Sequence, residues 1–282
     1  MSIIKKYHEV NDKYPRFQGT DGIPYFGEIR DISDWDCIIA SYRKLKSELF
    51  PQKVLFIMDD INQCEYTSMH ASMQDELNVD ESDFADGVDF DDQEQEKAFN
   101  INLKKARTEH IVNFLQRQDD FDVAQLTQLL NQIIEKTKRY DENDLKAMVL
   151  FNEKPLRVLN NIEATNFKEI GICIDDLPSD TLKIAMKPNG YFSSDLNTFE
   201  NYYVINQLDK LGFEFIGLGA QLLTFLKKAN GIVNYDELIE FLATIYPLDN
   251  KTKARFQKII QTNEYLILPY CESPSVYLYF YE

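Results

Sequence analysis

Two pairs of adjacent aspartates, Asp59-Asp60 and Asp175-Asp176, are the residues of this chain best placed to do chemistry. Each pair follows a short continuous apolar run, Val54 to Met58 and Ile170 to Ile174, of the kind that forms a strand buried on both faces. Paired carboxylates at strand ends can hold Mg²⁺ or Mn²⁺ for metal-assisted hydrolysis, provided that they converge in one cleft. Aspartate after a strand is also a common turn former and helix cap. No lysine or histidine stands in a companion motif, so the structural reading is preferred and a divalent-metal-dependent hydrolase is the alternative. No metal ligand, catalytic residue or cofactor is assigned.

The other motifs point away from catalysis. Gly217-Leu-Gly219-Ala-Gln-Leu222 begins like a phosphate-cradling G-x-G-x-x-G turn but lacks the third glycine, and reads as a tight turn with close backbone packing. His8, His70 and His110 have neither metal-ligand nor triad spacing. Cys37, Cys64, Cys173 and Cys271 are widely separated, which suggests reduced structural thiols. The loop Tyr191 to Asn197 gathers aromatic, hydroxyl and acidic groups, with a turn and helix cap as its simplest explanation.

The strongest signal is electrostatic. Between Lys53 and Lys97 lie 43 residues with no lysine or arginine and with fourteen carboxylates, so this window carries nearly all of the formal net charge of −17. The remaining 239 residues hold 33 acids against 30 bases. Such a field repels nucleic acid and anionic membranes and attracts a basic protein surface. Within the window, Asp80, Glu81, Asp83, Phe84, Asp86, Asp89, Phe90, Asp91 and Asp92 mix steering charge with aromatic contact area, and are the expected partner-binding residues. Aligning Gly87 with the sixth position of a calcium loop puts Phe84 third, where a ligand is required, so no calcium site is assigned. The expected function is that of an acidic, protein-binding inhibitor, antitoxin or immunity-type neutraliser of a basic partner.

The elements that must position these groups follow from periodicity. The expected class is α+β, in two mixed domains, residues 1–150 and 151–282, with short sheets flanked by amphipathic helices and a C-terminal β-hairpin. Helices are expected over Ser33 to Leu49, Glu94 to Gln118, Val123 to Lys138, Thr198 to Leu211, Tyr235 to Tyr246 and Lys251 to Gln261. Strands are expected near Val54 to Met58, Lys168 to Ile174, Leu182 to Met186 and Phe213 to Leu218. Ala220 to Lys228 is left as strand or helix, Tyr140 to Asn152 is taken as the domain junction, and Gln63 to Asp92 is expected to be a long acidic loop or marginal helix. The hairpin pairs Glu264 to Pro269 with Ser275 to Tyr281, which aligns Tyr277, Tyr279 and Tyr281 on one face. No signal peptide and no run long enough to span a bilayer is found, so a cytoplasmic protein is expected.

Overall fold

A computed structural model describes residues 3–7, 17, 19, 23, 25–162 and 167–276. In chain order its elements are β1 (Ile3–Lys6), β2 (Gly27–Arg30), α1 (Trp35–Glu48), β3 (Lys53–Ile57), α2 (Ile61–Ser72), the single turn α3 (Ser82–Ala85), α4 (Gln93–Gln116), α5 (Val123–Thr137) and α6 (Glu142–Glu153). There follow β4 (Asn160–Ile162), β5 (Phe167–Asp175), a 3-10 helix (Asp180–Met186), α7 (Thr198–Lys210), β6 (Phe213–Leu218), β7 (Leu222–Lys227), α8 (Tyr235–Ile245), α9 (Asn250–Thr262) and β8 (Tyr265–Pro269). The class is α+β.

The strands share one mixed sheet in the order β1-β2-β5-β3-β6-β7-β8, with β4 pairing on β5 beyond the stretch that β2 occupies. All described pairings are antiparallel except β3 with β6. The division expected at residue 150 therefore runs through a single sheet, because β5 from the second half lies between β2 and β3 from the first. The expected junction is itself part of the core: α6 buries Leu145, Met148 and Phe151, and the Asn152 amide bonds both the N–H and the C=O of Ile267. That side chain thereby satisfies backbone groups of β8 that an edge strand would otherwise leave open.

The central strands are buried on both faces, as their continuous apolar runs require. Leu55 and Ile57 of β3 point into a cluster with α4, α5, α7, α8 and α9, while Val54, Phe56 and Met58 point into a second cluster with α1 and one side of α6. Local chemistry sets the helix starts. Asp34 caps α1, and Asn197 with Glu200 forms a capping box at the start of α7.

Two segments differ from the periodicity, and a third that it left open is decided by the structure. Leu182 to Met186 is not a strand: the 3-10 turn superimposes side chains three apart, which puts Lys183 Nζ 3.1 Å from Asp180. The acidic stretch opens with a regular helix, α2, whose inward side mixes Glu65, Thr67 and Ser68 with Ile61, Cys64 and Ala71 and so shows only a broken apolar stripe. Ala220 to Lys228 resolves as β7, hairpin partner of β6. In the C-terminal pair, β8 forms but is zipped to β7; Tyr277, Tyr279 and Tyr281 lie outside the described residues, as does His8. Among the described residues no helix is long and apolar enough to cross a membrane.

Candidate functional site

The register of β3 against β5 decides the fate of the carboxylate pairs. Asp175 stands opposite Lys53 at the start of β3, whereas Asp59 and Asp60 lie beyond its far end. At about 3.3 Å per residue the two pairs are about 20 Å apart, at opposite ends of the sheet. A four-carboxylate metal cleft is thereby excluded. No grouping of three or more potential metal-ligating side chains occurs among the described residues.

Each aspartate of the first pair has its own local role. Asp60 is exposed with φ 29°, and its side chain accepts the Gln63 amide at 3.0 Å to start α2. Asp59 is fully buried against the turn after β6, where a Cβ on Gly219 would fall 1.3 Å from its Oδ1. Glycine at 219 is thus a requirement of close approach, which is the packing role read from the sequence for this turn.

Along the acidic segment, every carboxylate from Asp75 to Glu96 is exposed. Three of them hold the backbone and a fourth holds a side chain. Asp80 accepts the Ser82 amide at 2.9 Å, Asp89 that of Asp91 at 3.0 Å, and Asp92 those of Glu94 and Gln95 at the start of α4, while Glu81 pairs with Arg107. The Ser82 hydroxyl together with its amide lowers the carboxyl pKa of Asp80, and the Glu94 amide with Gln95 lowers that of Asp92. Asp83, Asp86 and Asp91 make no ion pair among the described residues. Phe84 is half-buried, and Phe90, 52 % exposed, rests edge-on against Phe99 with ring centroids 5.2 Å apart. The segment is anchored by the buried Leu77 and by Gly87, whose φ of 74° permits the turn into α4.

A second feature adjoins this segment through α2. Tyr66 and His70 stand one turn apart with ring centroids at 4.4 Å, and His70 continues at 4.9 Å onto Tyr191, which meets Phe192 at 5.5 Å. Tyr66, Tyr191 and Phe192 are 47 %, 38 % and 46 % exposed, which makes the row a surface feature rather than core. It ends at a crevice of about 400 Å³ at the carboxyl ends of β3 and β6, where Phe192, Asp195, Gln221 and Cys271 meet. That is where sheets with parallel neighbours commonly take ligands.

Asp195 is the acid of this crevice. Burial, with the Glu272 charge adding to it, pushes its carboxyl up to about 6, against the Glu272 amide that donates to Oδ1 at 3.0 Å. Cys271 donates to Gln221 at 3.3 Å, and burial raises its thiol well above the ordinary range, so it is an inert group here and no nucleophile. Cys64 is raised for the same reason.

Sequence reasoning found the acidic segment and the aromatic loop 191–197 but missed the row that joins them. Tyr66 and His70 become neighbours only once α2 is recognised, since four residues is one helical turn and no other spacing brings them together. It also missed the buried cluster behind them, in which Lys187 Nζ lies 2.5 Å from Glu65 and 5.0 Å from the ring centre of Tyr25, whose hydroxyl donates to Glu65. Fold and site together define an α+β protein with a mixed sheet and one acidic, aromatic-lined surface. Comparison with protein-family models, curated proteins and solved structures yields no match.

Proposed function

We propose that this chain binds a basic protein through the acidic segment and the adjoining aromatic row, and acts as a stoichiometric neutraliser of the inhibitor, antitoxin or immunity type. The observation that carries this reading is the exposure of Asp83, Asp86 and Asp91, without ion pairs among the described residues, beside exposed rings such as Phe90 and Tyr66. Carboxylates left in solvent steer a cationic partner, raising association rates by about 10 to 10³ fold at low salt. The rings supply contact area that ordering does not penalise heavily, since an aromatic side chain has only two rotatable torsions. A hydrolase reading loses its four-carboxylate basis and receives no other support from the geometry.

The test replaces Asp83, Asp86, Asp89 and Asp91 by asparagine. Asparagine keeps the side-chain oxygen that accepts the Asp91 amide, so charge is removed while the turn survives. Wild type immobilised at low salt is expected to retain one basic protein at a 1:1 ratio from lysate of the source cells, with association slowing as salt rises. The variant is expected to associate at least about tenfold more slowly and with a flatter salt dependence. Equal rates for the two proteins would remove the acidic segment from the mechanism.

A further inference from the structure

The acidic surface covers a chamber whose charge has the opposite sign. About 290 Å³ in volume, it lies between α2, α4 and the end of the 3-10 helix, and the charged groups that line it are Glu65, Glu81, Lys104, Arg107 and Lys187. Lys187 is neutralised by Glu65 at 2.5 Å and Arg107 by Glu81, which leaves the Lys104 ammonium as an excess of one positive charge. Lys104 makes no ion pair among the described residues. The Nε of Arg107 is buried and has no hydrogen-bond partner among the described residues, although a guanidinium has five N–H groups to satisfy. Beside these donors, Met69, Phe99, Leu103 and Met186 form an apolar wall.

We propose that this chamber binds a small amphiphilic carboxylate. The carboxylate is received at the α4 wall by Arg107 Nε and Lys104, and an aliphatic body of six to eight carbons, roughly what a small pocket encloses, lies against the methionines and Phe99. One net positive charge matches one negative charge, so a monoanion fits better than a phosphate dianion. The apolar wall explains why the ligand has a tail, which a free inorganic anion lacks. Glu81 is the built-in competitor for the same guanidinium: it holds the terminal Nη2 of Arg107 from the exposed segment, with 61 % of its side chain in solvent, so its competition with a carboxylate at Nε is weak. This inference does not rest on the partner-binding reading, since it concerns a chamber behind the acidic surface and a ligand of opposite charge, and Glu81 is the one residue that the two share.

Titration calorimetry on the full chain with octanoate, using 1-octanol and inorganic phosphate as matched probes, tests it. Wild type is expected to take up one equivalent of octanoate, with octanol and phosphate each at least about tenfold weaker. Glu81→Gln removes the competitor and is expected to tighten octanoate binding by up to about fivefold. Arg107→Gln is expected to weaken it about tenfold while leaving octanol unchanged. Should Arg107→Gln lose its fold by circular dichroism, Lys104→Gln, at a half-buried position of the α4 wall, takes its place, with a loss of a few fold expected. Octanol binding as tightly as octanoate, phosphate binding more tightly than octanoate, no heat from either wild type or Glu81→Gln, or an octanoate affinity untouched by the cation substitutions would each overturn the proposal.

Discussion

From Asp80 to Asp92 the chain sets seven carboxylates in solvent, whereas Lys183, in the 3-10 helix, is wholly buried and Lys187 nearly so. The two regions invert the usual expectation that each charge sits near a counter-charge at the surface. Outside, Asp80, Asp89 and Asp92 find backbone amides, Glu81 finds Arg107 and the rest face solvent, which is enough for an ion in high dielectric. Inside, each lysine has a constructed cage. Lys183 Nζ lies 2.7 Å from the Tyr42 hydroxyl, 3.1 Å from Asp180 and 3.4 Å from Glu214, with Lys46 reaching the same two acids at 2.8 and 2.6 Å. The difference teaches that exposed charge is nearly free to vary, whereas buried charge is held by a network in which each member depends on the others.

The sharpest way to break this comparison is Lys183→Ala. It leaves Asp180 with Lys46, and Glu214 with Lys46 and the Tyr42 hydroxyl, and opens space in the core, so unfolding in urea at pH 7 is expected to show a loss of about 3 to 5 kcal/mol. A loss below about 1 kcal/mol would mean that Lys46 alone satisfies both acids and that the cage is redundant.

Two aspartates carry the contrast into pH dependence with opposite signs. Burial favours the neutral form of Asp180, yet Lys183 and Lys46 outweigh it and hold the carboxyl at about 2. Because this folded value lies below the ordinary 3.8, Asp180 contributes stability above about pH 4 that is lost as pH falls towards 2. Asp195, raised to about 6, does the reverse: the fold binds its proton more tightly than the unfolded chain does, so stability from this group is lost as pH rises from about 4 to 6. Asp195→Asn keeps the oxygen that accepts the Glu272 amide and is expected to add about 2 kcal/mol at pH 7 and nothing at pH 3.5. Equal effects at the two values would show that Asp195 ionises freely in the crevice.

Charge placement also explains what was legible in the sequence. The acidic window, the helices α1, α4, α5, α7, α8 and α9, and the strands β3, β5 and β6 follow from composition, caps and apolar periodicity, because each of these is a local property. Two elements that periodicity does not reveal, α2 and the 3-10 helix, carry charged residues on their inward face. Glu65 on α2 is buried because Lys187 and Tyr25, far away in sequence, meet it, and Lys183 disrupts the apolar run of the 3-10 helix for the same reason. The site was half legible on the same grounds. Asp83 or Phe90 can be picked out from neighbours in the chain, but the crevice needs Phe192, Gln221 and Cys271 from three separate segments, and the excluded metal cleft turned on an antiparallel register that no local pattern reveals.

The smallest expected effect sharpens the other side of the comparison. The four-asparagine variant at positions 83, 86, 89 and 91 removes four negative charges that make no ion pair among the described residues, and it leaves the turn bonds in place. Thermal unfolding is expected to change by no more than about 0.5 kcal/mol, in the stabilising direction at low salt through relief of self-repulsion. Salt at about 0.5 M should erase even that, since the Debye length then falls below the spacing of neighbouring turns. A destabilisation above about 1 kcal/mol, persisting in salt, would mean that these carboxylates hold the segment in place as the buried lysines hold the core, and the exposed charge would then belong to the fold rather than to a partner.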